Sequence, residues 1–179
     1  PTRRSSDLAE LTATLIEASG FEKLEGLVTL SSLDNETYEI NAQTFDKVIL
    51  ACGAWLGQTL EPLGFEVDVR PQKGQLRDYF FEGLDTGKLP VLMPEGELDI
   101  IPFAGGKISV GASHENDKGF DLTVDEAVLE GLEEEAKIYF PDLSTAKSFS
   151  ERVGTRAYTS DFSPFFGEVP ELKNVFVAS

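Results

Sequence analysis

Two short, continuous apolar runs near the ends of the chain most constrain its fold. They are "FDKVILACGAW" (residues 45–55) and "NVFVA" (174–178). Runs without polar alternation are typical of strands buried on both faces of a parallel sheet. Between them, the strand candidates of residues 70–151 alternate and are joined by turns, as antiparallel strands are. We therefore predict a mixed α/β (α+β) chain in which one domain (1–69 and 152–179) is interrupted by an antiparallel β domain with a helix (70–151).

Apolar spacing and turn residues predict the local elements. Leucines and alanines at helical spacing, ending at Gly20, predict a helix over about 7–19. Thr123 followed by Glu126 is a capping-box pattern, and the apolar residues after it predict a helix that ends before Pro141. Strands are predicted within the segments "GLVTLSS" (26–32), "TYEINAQ" (37–43), "GQLRDYFF" (74–81), "PVLM" (90–93) and "AKSFSERVGTRAY" (146–158).

A hairpin is predicted over "LDIIPFAGGKISVGASH" (98–114). Ala104, Gly105 and Gly106 provide its turn. The two strands of such a hairpin pair antiparallel, so the residues furthest from the turn on each strand lie at the same end. Asp99 and His114 are therefore expected close to one another at the open end of the hairpin.

Charge and composition exclude several partners. The 179 residues include 32 acidic and 15 basic ones, a formal net charge of −17, so nucleic acid and anionic membrane surfaces should be repelled. No apolar run approaches the roughly 20 residues of a membrane span. Cys52 is the single cysteine and cannot form an internal disulfide, which favours a reducing, cytoplasmic setting. "PTRRSSDL" is basic and unlike the acidic remainder, and its origin stays open.

Five segments in sequence give the chain a family resemblance. They are "VILACGAWLGQTLEPLGFEV", "RPQKGQL", "IIPFAGGKISVGASHE", "GTRAYTSDFSPFFG" and "NVFVAS". In this order they resemble the D-amino-acid oxidase-like flavoproteins, in particular the glycine oxidase and D-amino-acid dehydrogenase branch. The resemblance implies a Rossmann-like domain that binds FAD non-covalently, interrupted by an antiparallel substrate domain, which agrees with the layout inferred from strand type.

The phosphate-binding loop of that family is not found in this sequence. A G-x-G-x-x-G loop holds the pyrophosphate on backbone N–H groups and a helix N-terminus, and "GAWLG" (53–57) has the wrong spacing. A glycine-rich loop after "NVFVAS" is also missing. We therefore expect an internal segment of a larger enzyme, which by itself binds FAD poorly and is inactive.

Arg156 is the first candidate site residue. A lone arginine in a chain rich in carboxylates can simply form a structural ion pair. Its planar guanidinium can instead grip a carboxylate through two parallel hydrogen bonds. The resemblance favours the second role, because the arginine of the family's "G-x-R-P-x-T-x-D" segment anchors the substrate carboxylate. Here Ala157 replaces the proline and the arginine keeps its place.

Asp99 and His114 complete the candidate substrate site. A single histidine is often structural, and Asp99 could equally be a solvated strand start. Aligned with the family, Asp99 falls on a pocket tyrosine and His114 on another pocket position. These departures predict a more polar pocket, whose substrate is neither glycine nor a plain D-amino acid.

The cofactor candidates are Val28, Cys52, Gly53 and Trp55. Gly53 would let the backbone approach a cofactor, whereas Trp55 could simply fill core space at a tight strand-to-helix turn. By resemblance, the main chain of Val28 contacts the adenine. Cys52 has no basic neighbour to activate it and is expected to be a packed residue. No metal site is expected, because the acidic loop "HENDKGFDLTVDE" (114–126) lacks EF-hand spacing.

The resemblance implies an FAD-dependent oxidoreductase that oxidises the amine of a small amino-carboxylate to an imine by hydride transfer to flavin. Two alternatives remain. One is a non-catalytic, acidic protein-interaction domain. The other is the related oxidase domain that acts on a tRNA wobble-base side chain, against which the charge of −17 argues. The electron acceptor and the oligomeric state are not determined by the sequence.

Overall fold

Ten strands and three α-helices form the part of the chain that the computed structural model describes, which is residues 5–23, 26, 29–32 and 37–179. The helices are α1 (Ser5–Ser19), α2 (Leu56–Leu60) and α3 (Glu126–Tyr139). The strands are β1 (Leu30–Ser32), β2 (Tyr38–Ile40), β3 (Gln43–Phe45), β4 (Val48–Leu50), β5 (Arg70–Phe80), β6 (Asp99–Pro102), β7 (Lys107–Gly111), β8 (Lys147–Tyr158), β9 (Phe166–Glu168) and β10 (Val175–Ala178). Short 3₁₀ turns cover Gly53–Trp55, Glu61–Leu63, Thr86–Lys88 and Pro141–Thr145.

Three sheets organise these strands. The first is an antiparallel meander in the order β1-β2-β3, and the second has the order β4-β10-β9. In the second sheet the two apolar runs from opposite ends of the chain pair in parallel, Val175 with Val48 and Val177 with Leu50. The third sheet is antiparallel, with the order β6-β7-β5-β8. The parallel strand type predicted for the two apolar runs and the predicted hairpin are both confirmed. The expected burial on both faces is wrong for β4, because Ile49 at its centre is 71% exposed.

Two separate hydrophobic cores underlie the sheets. The first core joins the meander, the parallel pair and α2 through Leu30, Tyr38, Val48, Leu50, Leu56, Leu60, Val69, Val169 and Val175. The second core lies between the antiparallel sheet and α3 and contains Tyr79, Phe81, Leu98, Ile100, Ile108, Val110, Ala136 and Leu143. Chain segments from before residue 70 and after residue 158 share one core, as an interrupted layout requires.

The long strand β5 presents different chemistry on its two faces. Lys73, Arg77 and Tyr79 point towards α3 and the loop before it, where Arg77 pairs with Glu126 and the Tyr79 hydroxyl donates to Glu133 at 2.7 Å. The alternate residues Gln72 and Leu76 line a cavity on the opposite face. Strand β8 pairs with β5 along its whole length and extends this sheet to Tyr158, past residue 151.

Three local predictions are wrong. Residues 37–43 do not form one strand, because Asn41 and Ala42 adopt positive φ and turn the chain back, so that Ile40 pairs with Gln43. The segment "PVLM" makes a single bridge, between Leu92 and Ile100, rather than a strand. The cap of α3 is Asp125 and not Thr123.

Among the helices of the described residues, none combines the length and the apolar character that crossing a bilayer requires.

Candidate active site

A cavity of about 580 Å³ lies between the antiparallel sheet and the end of the parallel pair. Strands β5, β6, β7 and β8 form its floor, and the loop after β8 forms one wall. Among its lining residues are Gln72, Leu76, Asp99, Ser109, Gly111, His114, Arg156, Tyr158, Phe162, Pro164 and Ser179. Three candidate residues, Asp99 and His114 of the hairpin and Arg156 of β8, thus line one cavity.

Arg156 is held in this cavity by neutral groups. Its strand position faces Gln72 of β5, and its Nη1 donates to the Gln72 side-chain oxygen at 2.7 Å. Its Nη2 donates to the main-chain carbonyl of Ser113 at 2.9 Å. Burial lowers the pKa of Arg156, an effect opposed by the negative charges of Glu97 and Asp99, and the guanidinium remains a cation at neutral pH. Among the described residues no carboxylate forms an ion pair with it.

Gly74 makes room for this arginine. It lies on β5 directly opposite Gly154, and the guanidinium of Arg156 passes over it. A Cβ atom at Gly74 would be 2.8 Å from Nη2 of Arg156 and 3.3 Å from the Ser113 carbonyl oxygen. Gln72, Gly74 and Ser113 therefore fix the position of Arg156, and sequence reasoning identified none of the three.

His114 is paired with a residue that the sequence did not single out. Its Nδ1 lies 3.1 Å from Oε2 of Glu97, whose side chain is 63% exposed. Asp99, the first residue of β6, is half-buried and pairs through its backbone with Gly111. In the described part of the chain its carboxylate accepts no hydrogen bond and forms no ion pair. Asp99 and Arg156 are thus two opposite charges in one cavity, each without a directly bound counter-ion.

A second carboxylate on the same sheet face, that of Asp78, is by contrast fully paired. The buried carboxylate of Asp78 accepts hydrogen bonds from Arg152 at 2.9 Å, from Ser150 at 2.8 Å and from Ser109, and Lys107 lies 2.9 Å away. Burial alone raises the pKa of Asp78, but these four donors outweigh it and hold the pKa well below its usual range. These contacts therefore anchor β5 to β7 and to β8.

The loop after Arg156 folds back over the edge of the cavity. The Thr159 hydroxyl donates to the carbonyl of Ser163 at 3.1 Å, and the Ser163 N–H donates to Asp161 at 3.0 Å. This backbone hydrogen bond lowers the pKa of Asp161. Phe162 sits at the tip with a positive φ of 59° and contacts Tyr158 edge-on at 5.6 Å between ring centroids. Aromatic rings thus border the cavity beside the arginine.

The cofactor candidates follow strand β4. Gly53 has φ +55°, and a Cβ there would meet nothing within 4 Å, so the backbone of this turn faces open space. The Ser179 hydroxyl, just after β10, donates to the carbonyl of Gly53 at 3.2 Å. The turn after β4 and the end of β10 thus meet at the carboxyl edge of the parallel pair, which is where α/β sheets bind their ligands.

Of the other cofactor candidates, Cys52 is packed, Trp55 is exposed and Val28 is not described. Cys52 is half-buried and packs against the first core, as expected of a packed residue. Trp55 does not fill the core, because it is 49% exposed and stacks on Phe120 with centroids 4.8 Å apart. Val28 lies outside the described residues. Within the described ranges no cluster of His, Cys, Asp or Glu could hold a metal ion.

Comparisons with known proteins give the family. Residues 6–179 match the family described as DAO, FAD dependent oxidoreductase. The chain is 35% identical over 152 residues to the oxidoreductase YurR of Bacillus subtilis, covering 84% of this chain and 40% of that protein. It is 34% identical over 132 residues to the glycine oxidase of Pseudomonas aeruginosa, covering 74% of this chain and 35% of that enzyme.

Solved structures agree with this assignment. Iminodiacetate oxidase from Chelativorans sp. BNC1 superposes with a TM-score of 0.89 at 27% identity, over 96% of this chain and 48% of that one. Glycine oxidase from Geobacillus kaustophilus gives 0.84 at 25% identity, over 96% and 47%. The chain spans less than half the length of each of these relatives.

Proposed function

Because the chain belongs to the DAO family of FAD-dependent oxidoreductases, we propose that it forms the substrate side of an enzyme that oxidises the amine of an amino-carboxylate to an imine. Arg156 binds the carboxylate of the substrate in the cavity. The glycine oxidases and the iminodiacetate oxidase among its relatives are named for small amino-carboxylates, which supports this substrate class.

The observation that carries the proposal is the environment of Arg156. Two of the five guanidinium N–H donors are used by Gln72 and Ser113, both uncharged, which leaves three for a ligand. In a chain of net charge −17 the arginine still has no bound carboxylate among the described residues. A half-buried cation in a cavity, held in place but not neutralised, is well suited to bind an anionic substrate.

The residues at the carboxyl edge of the parallel pair fit FAD. The open backbone around Gly53, together with Cys52, Trp55 and Ser179, would border the cofactor, and Ser179 lines the cavity as well. When bound, FAD supplies the two-electron oxidation by accepting a hydride from the α-carbon of the amine. The cavity between this edge and the antiparallel sheet is the place where substrate and cofactor would meet.

The protein's own contribution is orientation and exclusion of water. Arg156 fixes one end of the substrate, so that the α-carbon occupies one position relative to the edge of the parallel pair. Tyr158, Phe162 and Pro164 border the cavity with apolar surface, which favours the neutral, reactive form of the amine over the ammonium. The amine loses its α-hydrogen as hydride and a proton from nitrogen, and water hydrolyses the resulting imine.

The test is a substitution of Arg156 by lysine in the full-length, FAD-loaded protein. Lysine keeps the charge but loses the planar pair of donors, so the carboxylate should be held loosely. Loss of one charge-assisted hydrogen bond predicts a roughly ten- to hundredfold fall in kcat/KM for amino-carboxylates. Steady-state turnover is measured alongside flavin content, which should not change, because Arg156 is assigned to substrate and not to cofactor.

The matched control is Arg152→Lys, on the same strand and the same sheet face. There a lysine can still reach Asp78, so turnover should stay close to that of the unmodified protein. If Arg156→Lys turns over normally or loses its flavin, the carboxylate-binding role is wrong. If no amino-carboxylate is oxidised and no flavin is retained, a non-catalytic interaction domain becomes the better account.

A further inference from the structure

Asp99 is a charged residue of the cavity for which the proposed reaction has no use. Its carboxylate is half-buried, lines the cavity and has no partner among the described residues. Placing an unpaired carboxylate in a cavity costs free energy that grows when ligands displace water from around it. Such a group is compensated most simply by a cation that arrives with the ligand.

The other basic residues on this part of the sheet are already engaged elsewhere. Lys107 and Arg152 both contact Asp78, and His114 contacts Glu97. Arg156 attracts Asp99 through space but is bound to Gln72 and to the Ser113 carbonyl, and the two side chains form no ion pair. The cavity therefore presents one cationic and one anionic binding point, on strands β8 and β6 of the same sheet.

A reacting amine is a poor partner for Asp99. A carboxylate in contact with an amine raises the pKa of that amine and keeps it protonated. The protonated amine has no lone pair with which to support loss of hydride from the α-carbon. The cation that binds Asp99 should therefore be a second group of the substrate and not the nitrogen that is oxidised.

We propose that the substrate is a dibasic amino-carboxylate, which binds Arg156 through its carboxylate and Asp99 through a cationic side chain of the lysine or ornithine type. This inference rests on the proposed function and adds the substrate class. It agrees with the polar pocket that Asp99 and His114 predict from the sequence.

The experiment compares pairs of amino acids that have similar length but differ in side-chain charge. Lysine with norleucine and ornithine with norvaline are tested as both enantiomers, in the full-length, FAD-loaded protein and in Asp99→Asn. The unmodified protein should prefer the cationic member of each pair. Asp99→Asn should reduce that selectivity, measured as the ratio of the two kcat/KM values, by roughly tenfold.

Because both kcat/KM values come from the same preparation, their ratio cancels general effects on folding or flavin content. Glu95→Gln is the control for the loss of one negative charge, because Glu95 is exposed and does not line the cavity. A second readout needs no turnover: lysine should raise the unfolding temperature of the unmodified protein more than norleucine does, and this difference should be lost in Asp99→Asn.

Two outcomes would overturn the inference while leaving the proposed function intact. One is turnover of norleucine as efficient as that of lysine by the unmodified protein. The other is an unchanged selectivity ratio in Asp99→Asn, which would assign Asp99 to the reacting amine or to the fold. Oxidation of neither amino acid, together with an Arg156→Lys variant that behaves normally, would instead count against the proposed function itself.

Discussion

A single missing Cβ atom decides where the guanidinium of Arg156 can lie. The atom that an alanine at position 74 would meet first is Nη2 of Arg156, at 2.8 Å, the far end of a flexible side chain. The rigid neighbour, the Ser113 carbonyl oxygen, is at 3.3 Å and needs to give by only a few tenths of an ångström. An alanine there would therefore displace the arginine more than it would disturb the strand.

We expect Gly74→Ala to lower kcat/KM for amino-carboxylates by at least roughly tenfold, because Arg156 loses its place over the strand. The free energy of unfolding should change by less than about 1 kcal/mol, since alanine restricts the unfolded chain more than glycine does. Gly131→Ala, on the exposed side of α3 with nothing within 4 Å of its Cβ, is the control for glycine replacement. A large loss of stability with normal kinetics in Gly74→Ala would show a structural glycine instead.

At this scale the sequence singles out the candidate residues that the family resemblance and the predicted hairpin mark, which are Arg156, Asp99 and His114. Neither signal marks Gln72, Gly74 or Ser113, and their roles follow only from the register that sets Gln72 opposite Arg156. Glu97 was missed for another reason, since one of 32 acidic residues gives no signal until its partner His114 is known.

At the scale of elements, the start of α3 depends on Asp125. Its side chain accepts hydrogen bonds from the N–H groups of Ala127 and Val128, as an N-cap residue does. Thr123 instead binds Asp121, whose carboxylate also contacts the buried Lys73 at 3.1 Å. Glu126, the predicted capping-box partner of Thr123, pairs with Arg77 of β5. The capping-box pattern fails here because the local contact with Asp121 occupies the Thr123 hydroxyl and the tertiary contact with Arg77 occupies Glu126.

Asp125→Ala should therefore destabilise the chain by about 1 kcal/mol, the usual cost of losing an N-cap. Thr123→Ala removes only a hydrogen bond between exposed groups and should cost less than half of that. Urea denaturation followed by circular dichroism measures both variants in parallel. Equal losses, or a larger loss for Thr123→Ala, would contradict the assignment of Asp125 as the cap.

Other elements show which signals a sequence carries. The long strand β8 and the hairpin of β6 and β7 are predicted correctly, because their alternation and their Gly105–Gly106 turn are local features. The hairpin at Asn41 and Ala42 is missed because alanine, which rarely adopts positive φ, stands where the Asn-Gly signal of a tight hairpin has glycine. "PVLM" is apolar but has only one bridging partner, and partner strands are not visible in a local pattern.

At the scale of the whole molecule, the interrupted layout is what brings the site together. The first core contains chain segments that come before and after the antiparallel sheet in the sequence, and β10 pairs with β4 across that interruption. That pairing places Ser179 beside Gly53 and at the rim of the cavity that contains Arg156. The two unbroken apolar runs, which are typical of parallel strands, predict this layout. How the parallel pair and the antiparallel sheet meet depends on long-range packing, which no local pattern shows. The domain boundaries themselves stay a prediction.

The net charge of −17 is the other property of the whole molecule, and it should make stability depend on salt. Like charges repel in the compact state, and the Debye length falls from about 30 Å at 0.01 M salt to about 10 Å at 0.1 M. Screening also weakens the ion pairs, but pairs between two exposed side chains, such as Arg70 with Asp68, contribute little each. We therefore expect the repulsion to dominate, so that NaCl raises the free energy of unfolding by about 1 kcal/mol between 0.01 and 0.3 M, or roughly 2 to 4 °C in the unfolding temperature.

The control for this salt effect is Glu130→Lys, on the exposed side of α3. Glu130 forms no ion pair within the described residues, and a lysine there would lie one helical turn from both Glu126 and Glu134. The variant should be more stable than the unmodified chain at 0.01 M NaCl and should gain less when salt is added. Thermal unfolding across a NaCl series measures both effects. If the unfolding temperature of the unmodified chain falls as salt is added, local ion pairs such as those of Lys73 and Arg77 stabilise it more than the overall charge destabilises it.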